Sequence, residues 1–228
     1  MKKVFVSFDI DGTLVLCQQS TTDHLNAFKQ AISELFGPAD QPEIFLGHSI
    51  DGWMDKAILK AMIEKLGVEA NEENLRKAMD RTQEIYCSIA TEKAEVPRGI
   101  IHLLQELNKR PNISIGIASG NLPGIAWHKL ELAGLLQYFP DRIGGLGEYF
   151  SRKDAVLAAR QIAEKKKGIT FDIAIHVGDT PNDGNAALGA GAIGFMVRTG
   201  RVNYPSYPEG CLVFNDVEDG FDEFMKLL

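Results

Sequence analysis

Two carboxylates near the start of the chain are the first residues whose type and spacing suggest chemistry. Asp9 and Asp11 follow Val4–Phe8, a run rich in β-branched and aromatic residues that predicts a buried strand of a parallel sheet. Residues two apart on an extended chain point the same way, so both side chains are expected to face one site. Close carboxylates repel each other unless a divalent cation or a shared proton offsets their charge. The pair therefore suggests a metal or acid-base site at the carboxyl edge of the sheet.

The same residues would also suit an ordinary turn or the start of a calcium-binding EF-hand loop. Asp11-Gly12-Thr13 has the composition of a common turn. An EF-hand loop needs a carboxylate at its fifth position and a glutamate at its twelfth. Counted from Asp9, those positions hold Thr13 and Ser20, so the spacing excludes the EF-hand and leaves the turn as the alternative.

A second pair of carboxylates, Asp179 and Asp183, follows the apolar run Ile173–Val177, with Pro181 at the expected start of a helix. A single aspartate at such a turn is an ordinary helix cap. Two of them, in a chain that already has a carboxylate pair at another strand end, suggest a site of oxygen ligands. The sequence therefore predicts a Mg²⁺ site.

Donors that suit an anion follow the predicted strand Ile113–Ala118. Ser119, Gly120 and Asn121 offer a hydroxyl group and turn amides, although a plain helix cap would account for them equally well. Lys153 lies at the start of a predicted helix, where a cation opposes the helix dipole. Lys153 therefore has no obvious stabilising role at that position, and a solvated surface charge is the alternative to a functional one.

The elements that must position these residues follow two patterns. Residues 18–95 predict helices and no convincing strand, whereas the rest of the chain alternates short apolar strands with helices. Such alternation is typical of a parallel sheet with helices on both faces. The predicted fold is α/β, a Rossmann-like parallel-sheet core (residues 1–17 and 96–228) with a helical cap domain (residues 18–95) inserted after the first strand. An insertion at that place would cover the carboxyl edge of the sheet as a lid.

The composition, 45% hydrophobic and 24% charged over 228 residues, is that of a chain that can bury a core. Its net charge of −7 argues against general affinity for nucleic acid or anionic membranes. Three cysteines without C-x-x-C spacing predict reduced thiols, and the short apolar run before Asp9 predicts no secretory or membrane segment. We therefore expect a cytoplasmic protein.

With these motifs in this order, the chain resembles the haloacid dehalogenase-like (HAD) hydrolase superfamily, specifically its phosphoglycolate phosphatase-like branch with a helical cap after the first strand. The four motifs are Asp9-Ile-Asp11-Gly-Thr13, Ser119, Lys153 and Gly178-Asp179-Thr-Pro-Asn-Asp183. The stretch from Gly120-Asn121 through Lys129-Leu130 to Tyr138-Phe139 also resembles that branch. The resemblance spans nearly the whole chain.

The resemblance implies a mechanism and a ligand set. Asp9 would attack phosphorus and form an aspartyl-phosphate, and Asp11 would protonate the leaving alcohol and later deprotonate water. The Mg²⁺ ligands would be Asp9, the backbone carbonyl of Asp11, Asp179 and Asp183, the last directly or through water. The groups that bind the substrate phosphate would be Thr13, Ser119, Gly120, Asn121 and Lys153.

The implied function is a Mg²⁺-dependent phosphatase acting on a small soluble phosphate monoester, as a monomer or homodimer, with no nucleic-acid or membrane partner. Asp11 argues against a true dehalogenase, which needs neither that acid nor a metal. One alternative is β-phosphoglucomutase-like phosphoryl transfer on the same core. Another is a non-catalytic phosphate-binding protein, because fold alone does not determine function. The complete set of motif residues argues against the latter.

Substrate choice is expected to depend on the cap. The turn Gly47–Trp53 resembles the substrate-facing loop of this branch, so His48, Ser49 and Asp51 are predicted to contact the substrate. The alternative gives Asp51 to a helix cap and Trp53 to the core. Phosphoglycolate, sugar phosphates and nucleoside monophosphates all remain candidate substrates.

Overall fold

A six-stranded, all-parallel sheet with strand order β3-β2-β1-β4-β5-β6 forms the centre of the computed structural model, which describes residues 1–50 and 52–228. The strands are β1 (Val4–Phe8), β2 (Ile113–Ala118), β3 (Gly144–Gly145), β4 (Ile173–Gly178), β5 (Ile193–Val197) and β6 (Leu212–Phe214). The predicted α/β class with a Rossmann-like parallel sheet is confirmed.

Strand β1 lies in the middle of the sheet because it has apolar residues on both faces and its one polar residue, Ser7, is hydrogen-bonded to His176 on β4. All five are buried, and they pair with β2 on one side and β4 on the other. Val4, Val6 and Phe8 face one hydrophobic cluster, while Phe5 faces another. The carboxyl ends of β1, β2 and β4 therefore meet at one edge, where the predicted motif residues begin.

Helices cover both faces of this sheet. The helices of the described residues are α1 (Gln18–Leu35), α2 (Pro42–Leu46), α3 (Asp55–Lys65), α4 (Glu72–Ile89), α5 (Ile100–Asn108), α6 (Pro123–Leu132), α7 (Arg152–Lys167), α8 (Pro181–Gly189) and α9 (Phe221–Lys226), of which α5 to α9 cover the sheet. Helices α5, α6 and α9 pack on one face, and α7 and α8 pack on the other. None of the helices within residues 1–50 and 52–228 is long and apolar enough to cross a membrane.

Helices α1 to α4 form a helical segment (Gln18–Ile89) with a hydrophobic cluster of its own, which includes Phe28, Leu59 and Tyr86. No strand occurs in its described part. The two ends of this segment lie close together, where the backbones of Leu16 and Glu95 exchange hydrogen bonds of 2.8 and 3.1 Å.

The structure differs from the sequence prediction in the loop before α3. The sequence predicts one helix from Gly52 to Leu66, but α3 begins at Asp55, and the five-residue α2 precedes this loop. Helix α2 is too short to show helical periodicity in the sequence. Gly52 has φ of +74°, a left-handed conformation outside the helical region.

Candidate active site

A cavity of about 600 Å³ lies between the carboxyl edge of the sheet and the helical segment. The residues of the sheet domain that line it include Asp9, Asp11, Ser119, Gly120, Asn121, Lys129, Arg152 and Asp179. Because β1, β2 and β4 run parallel, the loops that follow them supply most of these side chains to one place.

An acidic cluster forms the floor of the cavity. Asp9, Asp179 and Asp183 are all buried, and one carboxylate oxygen of each lies within 4.8 Å of the others. Burial raises the pKa of Asp9 to about 6, despite the nearby Arg152 guanidinium, and the neighbouring carboxylates add to the shift. Burial and the other two carboxylates likewise raise the pKa of Asp179 well above its usual range.

Arg152, the first residue of α7, offsets part of this negative charge. Its guanidinium Nη1 lies 3.0 Å from Asp9 Oδ1 and 2.5 Å from Asp183 Oδ1. Burial raises the pKa of Asp183. The Arg152 guanidinium, His176 and the Thr180 hydroxyl group together outweigh that effect and hold the pKa well below its usual range. Hydrogen bonds from the Thr180 amide and hydroxyl groups hold the other oxygen of Asp183.

The expectation that Lys153 binds phosphate requires correction. Lys153 is exposed, does not line the cavity, and extends its side chain past Gly189 on α8. Successive helical residues point about 100° apart, so only one of the two neighbouring cations can face the sheet edge. That residue is Arg152. The sequence did not identify it, because Arg152 and Lys153 are both cations that oppose the helix dipole at the start of α7.

A second cation contacts Asp11. Lys129 on α6 is 2% exposed, and its Nζ lies 2.8 and 2.7 Å from the two carboxylate oxygens of Asp11. Burial raises the pKa of Asp11. The Lys129 ammonium group, the Asn121 amide and His24 together outweigh that effect, so the pKa lies below its usual value. The sequence could have indicated Lys129, because it lies on a helix face whose other residues, Ile125, Ala126 and Leu130, are apolar and buried.

The loop after β2 joins this second group. Ser119 is fully buried, and the side-chain amide of Asn121 donates to Ser119 Oγ at 2.9 Å and to Asp11 Oδ2 at 2.7 Å. Gly120 lines the cavity, but its carbonyl group accepts a hydrogen bond from the Asp55 amide of the helical segment. All three residues line the same cavity as Asp11.

Thr13 is expected to contact the phosphate, but it lies below the cavity and does not line it. Its hydroxyl is buried and donates to Asp179 Oδ1 at 3.2 Å. The tight turn at Gly12, where φ is +83°, brings Thr13 there. A Cβ at Gly12 would lie 2.4 Å from Asp179 Oδ2, so only glycine fits this position.

The helical segment lines the opposite side of the cavity with residues that sequence reasoning did not select. They include Thr21, His24, Leu25, Phe28, Ile50, Trp53, Asp55 and Ile58. His48 and Ser49 are exposed and do not line the cavity, and His48 Nδ1 lies 2.9 Å from the Ser49 carbonyl oxygen. Their expected substrate contact is thus not present in this arrangement, and Asp51 lies outside the described residues.

The donor set suits a hard divalent cation such as Mg²⁺, which prefers carboxylate and carbonyl oxygens. Asp9 Oδ1 contacts the Arg152 guanidinium but accepts no hydrogen bond within the described part of the chain. A buried carboxylate oxygen in this state, at the centre of an acidic cluster, has an unused capacity to bind a cation.

Mg²⁺ is expected to stabilise the protein more at pH 7.5 than at pH 5. Because Asp9 has a raised pKa of about 6, the metal-free folded state loses stability as pH rises through that value, and bound metal offsets the repulsion. At a concentration of 100 times Kd the gain is about 2.7 kcal/mol, or about 5–11 °C in Tm. Thermal unfolding with and without Mg²⁺ measures it.

The matched controls for this prediction are two substitutions of one chemical type. Asp179→Asn, in the cluster, is expected to remove most of the Mg²⁺ effect, whereas Asp222→Asn, at an exposed position on α9, is expected to preserve it. An equal Mg²⁺ effect at both pH values, or in both variants, would contradict binding at this cluster.

Comparison with known proteins supports the resemblance that the motifs indicated. Residues 5–191 match the model of the haloacid dehalogenase-like hydrolase family. The chain is 28% identical over 224 residues to the phosphoglycolate phosphatase of Rhodospirillum rubrum, covering 97% of this chain and 88% of that protein. It is 25% identical over 203 residues to the phosphoglycolate phosphatase of Caulobacter vibrioides, covering 88% and 81%.

Solved structures share the fold along the whole chain. CbbY from Rhodobacter sphaeroides, in complex with phosphate, superposes with a TM-score of 0.68 at 17% identity, covering 96% of each chain. A predicted phosphatase from Clostridium acetobutylicum superposes with a TM-score of 0.66 at 19% identity, covering 100% of each chain. At these identities the likeness concerns the fold.

Proposed function

Because the chain belongs to the haloacid dehalogenase-like hydrolases, we propose that it is a Mg²⁺-dependent phosphatase that cleaves a small phosphate monoester through an aspartyl-phosphate. One observation carries the proposal. The buried Asp9, with a raised pKa and an oxygen that accepts no hydrogen bond from the described residues, lies in one cavity with Asp11 and with the cations Arg152 and Lys129. Those are the groups that nucleophilic phosphoryl transfer needs.

The residues that would hold Mg²⁺ are Asp9, the backbone carbonyl group of Asp11, Asp179 and Asp183. When bound, the ion would neutralise the charge that the phosphate brings beside the aspartates. Arg152 also offsets the negative charge of the cluster, since its guanidinium contacts two of the carboxylates.

In the first step, an Asp9 carboxylate oxygen attacks phosphorus and the bond from phosphorus to the ester oxygen breaks. The departing oxygen takes a proton from Asp11 and leaves as the alcohol, so the phosphoryl group is now on Asp9. Asp11 must be protonated for this step, and the negative charge of the bound phosphate would raise its pKa against the opposing effect of Lys129. In the second step, Asp11 takes a proton from water while the water oxygen attacks phosphorus. The bond from Asp9 to phosphorus breaks, and phosphate and the free carboxylate are restored.

Residues 18–95 act in this proposal as a cap domain over the core formed by residues 1–17 and 96–228. Hydrogen bonds join the start of α3 to the core loops, from the Asp55 amide to Gly120 at 2.9 Å and from the Lys56 amide to Gly147 at 3.0 Å. The Asp55 carboxylate also accepts a hydrogen bond from the Leu122 backbone amide at 2.8 Å. Such closure excludes water from the reacting groups and lets cap residues contact the leaving group.

The substrate is a small organic phosphate ester, for which the phosphoglycolate phosphatases of the two bacterial relatives provide the first candidate. The cavity of about 600 Å³ also has room for sugar phosphates. A cytoplasmic location and a monomeric or homodimeric state stay predictions of the sequence.

The direct test is phosphate release from phosphoglycolate, hexose phosphates, nucleoside monophosphates and p-nitrophenyl phosphate, each with Mg²⁺ and with a chelator. We expect metal-dependent release, and the best ester identifies the substrate class. Interconversion of sugar phosphate isomers without net release would instead support phosphoryl transfer of the mutase type. Tight phosphate binding with neither reaction would support a non-catalytic binding protein.

A further inference from the structure

Lys129 is a buried cation that the four motifs do not account for. Its side chain is 2% exposed, whereas that of its ion-pair partner Asp11 is 41% exposed toward the cavity. A buried ammonium group is costly unless paired and hydrogen-bonded, so the fold must hold Lys129 in place for a specific contact. That contact is the carboxylate of Asp11.

The contact is a closed triangle of three side chains. Lys129 Nζ donates to both oxygens of Asp11 and, at 2.7 Å, to Asn121 Oδ1, while Asn121 Nδ2 donates to Asp11 Oδ2 at 2.7 Å. Each member thus fixes the other two. The ring of Tyr86, 5.7 Å from Nζ, closes the far side of the ammonium group.

This arrangement leaves the Asp11 carboxylate one open direction. Lys129 occupies the side toward α6 and Asn121 occupies the side toward the β2 loop, so the exposed part faces the cavity. A free aspartate side chain changes rotamer easily, whereas this one is held by hydrogen bonds to charged and amide donors.

We propose that Lys129 is a positioning residue that holds Asp11 toward the ester oxygen of the substrate. The inference rests on the proposed function, in which Asp11 gives its proton to the departing oxygen as the bond from phosphorus breaks. Lys129 keeps its own protons and contributes to the reaction by orienting Asp11. If Lys129 has this role, the loss of kcat/KM on its substitution depends on whether the leaving group needs a proton.

The experiment compares two esters by kcat/KM, which reports the steps up to transfer of the phosphoryl group to Asp9. One is the alkyl ester that the wild-type enzyme hydrolyses best, whose departing oxygen needs a proton. The other is p-nitrophenyl phosphate, whose phenolate leaves without one. We expect Lys129→Met to lower kcat/KM about 100-fold for the alkyl ester and less than about tenfold for the aryl ester.

Asp11→Asn should show the same dependence on the leaving group, and the double variant should lose little more than either single variant, because both act through one group. Lys165→Met is the matched control, since it makes the same change at an exposed position on α7. If thermal unfolding shows that Lys129→Met is not folded, Lys129→Gln keeps one donor and permits the same comparison.

The outcomes separate this inference from the function on which it rests. An equal loss for both esters in the Lys129 variant, with a leaving-group-dependent loss in Asp11→Asn, would overturn the positioning role and leave the phosphatase intact. Additive losses in the double variant would also overturn it. Failure of the wild-type protein to hydrolyse either ester would overturn the proposed function and this inference together.

Discussion

Asp9→Asn is expected to lower kcat by at least about 10⁴-fold while the protein stays folded. An amide group is not a nucleophile toward phosphorus, and the two carboxylates clustered with Asp9 are held by other groups, since Arg152 and Thr180 hold Asp183 and Thr13 holds Asp179. Phosphate release with the best substrate of the ester panel measures the loss.

The same substitution is not expected to lower Tm in the metal-free protein at pH 7.5. The raised pKa of Asp9, about 6, means that the folded state disfavours the ionised form of this residue. A neutral amide at this position therefore removes repulsion within the cluster. Mass spectrometry of acid-quenched enzyme should detect a phosphorylated wild-type chain and no such species in Asp9→Asn. Substantial activity in this variant would rule out Asp9 as the nucleophile.

Arg152→Met is expected to lower the stability of the metal-free protein by about 3–5 kcal/mol, because it leaves the buried carboxylates without their cation. In a chain of this size the loss corresponds to a fall in Tm of about 6–20 °C. Removal of a charge-stabilising group should also lower kcat by about 10²–10³-fold. Thermal unfolding and steady-state kinetics measure the two effects.

Two comparisons make this prediction specific. Mg²⁺ should recover part of the lost Tm, because it offsets the same negative charge. Lys153→Met, which removes the neighbouring but exposed cation, should change neither Tm nor kcat appreciably. Similar losses from both substitutions would contradict the placement of Arg152 as the cation of the site.

The central features of the fold follow from local sequence patterns. A buried parallel strand needs a continuous apolar run, and Val4–Phe8 has that pattern as clearly as Ile173–Val177 does. The location of the acidic residues also follows, because parallel strands end at one edge and residues just beyond those ends must meet there. The grouping of Asp9, Asp179 and Asp183 needed no information about side-chain packing.

Tertiary structure decided which cations reach these carboxylates. Arg152 and Lys153 carry the same charge at adjacent positions, and only the rotation of α7 against the sheet determines that Arg152 points inward. Lys129 lies 118 residues from Asp11 in the chain, and their contact depends on how α6 packs beside the first loop.

The cavity wall opposite the sheet edge was also beyond the reach of sequence patterns. Asp55 contacts the core at Leu122, 67 residues away, and His24 pairs with Asp55 across two helices of the segment. Hydrophobic periodicity and turn residues specify elements and the ends of elements, since they depend on near neighbours in the chain. Side-chain contacts between distant elements depend on packing angles and rotamers, which the pattern of residue types leaves free.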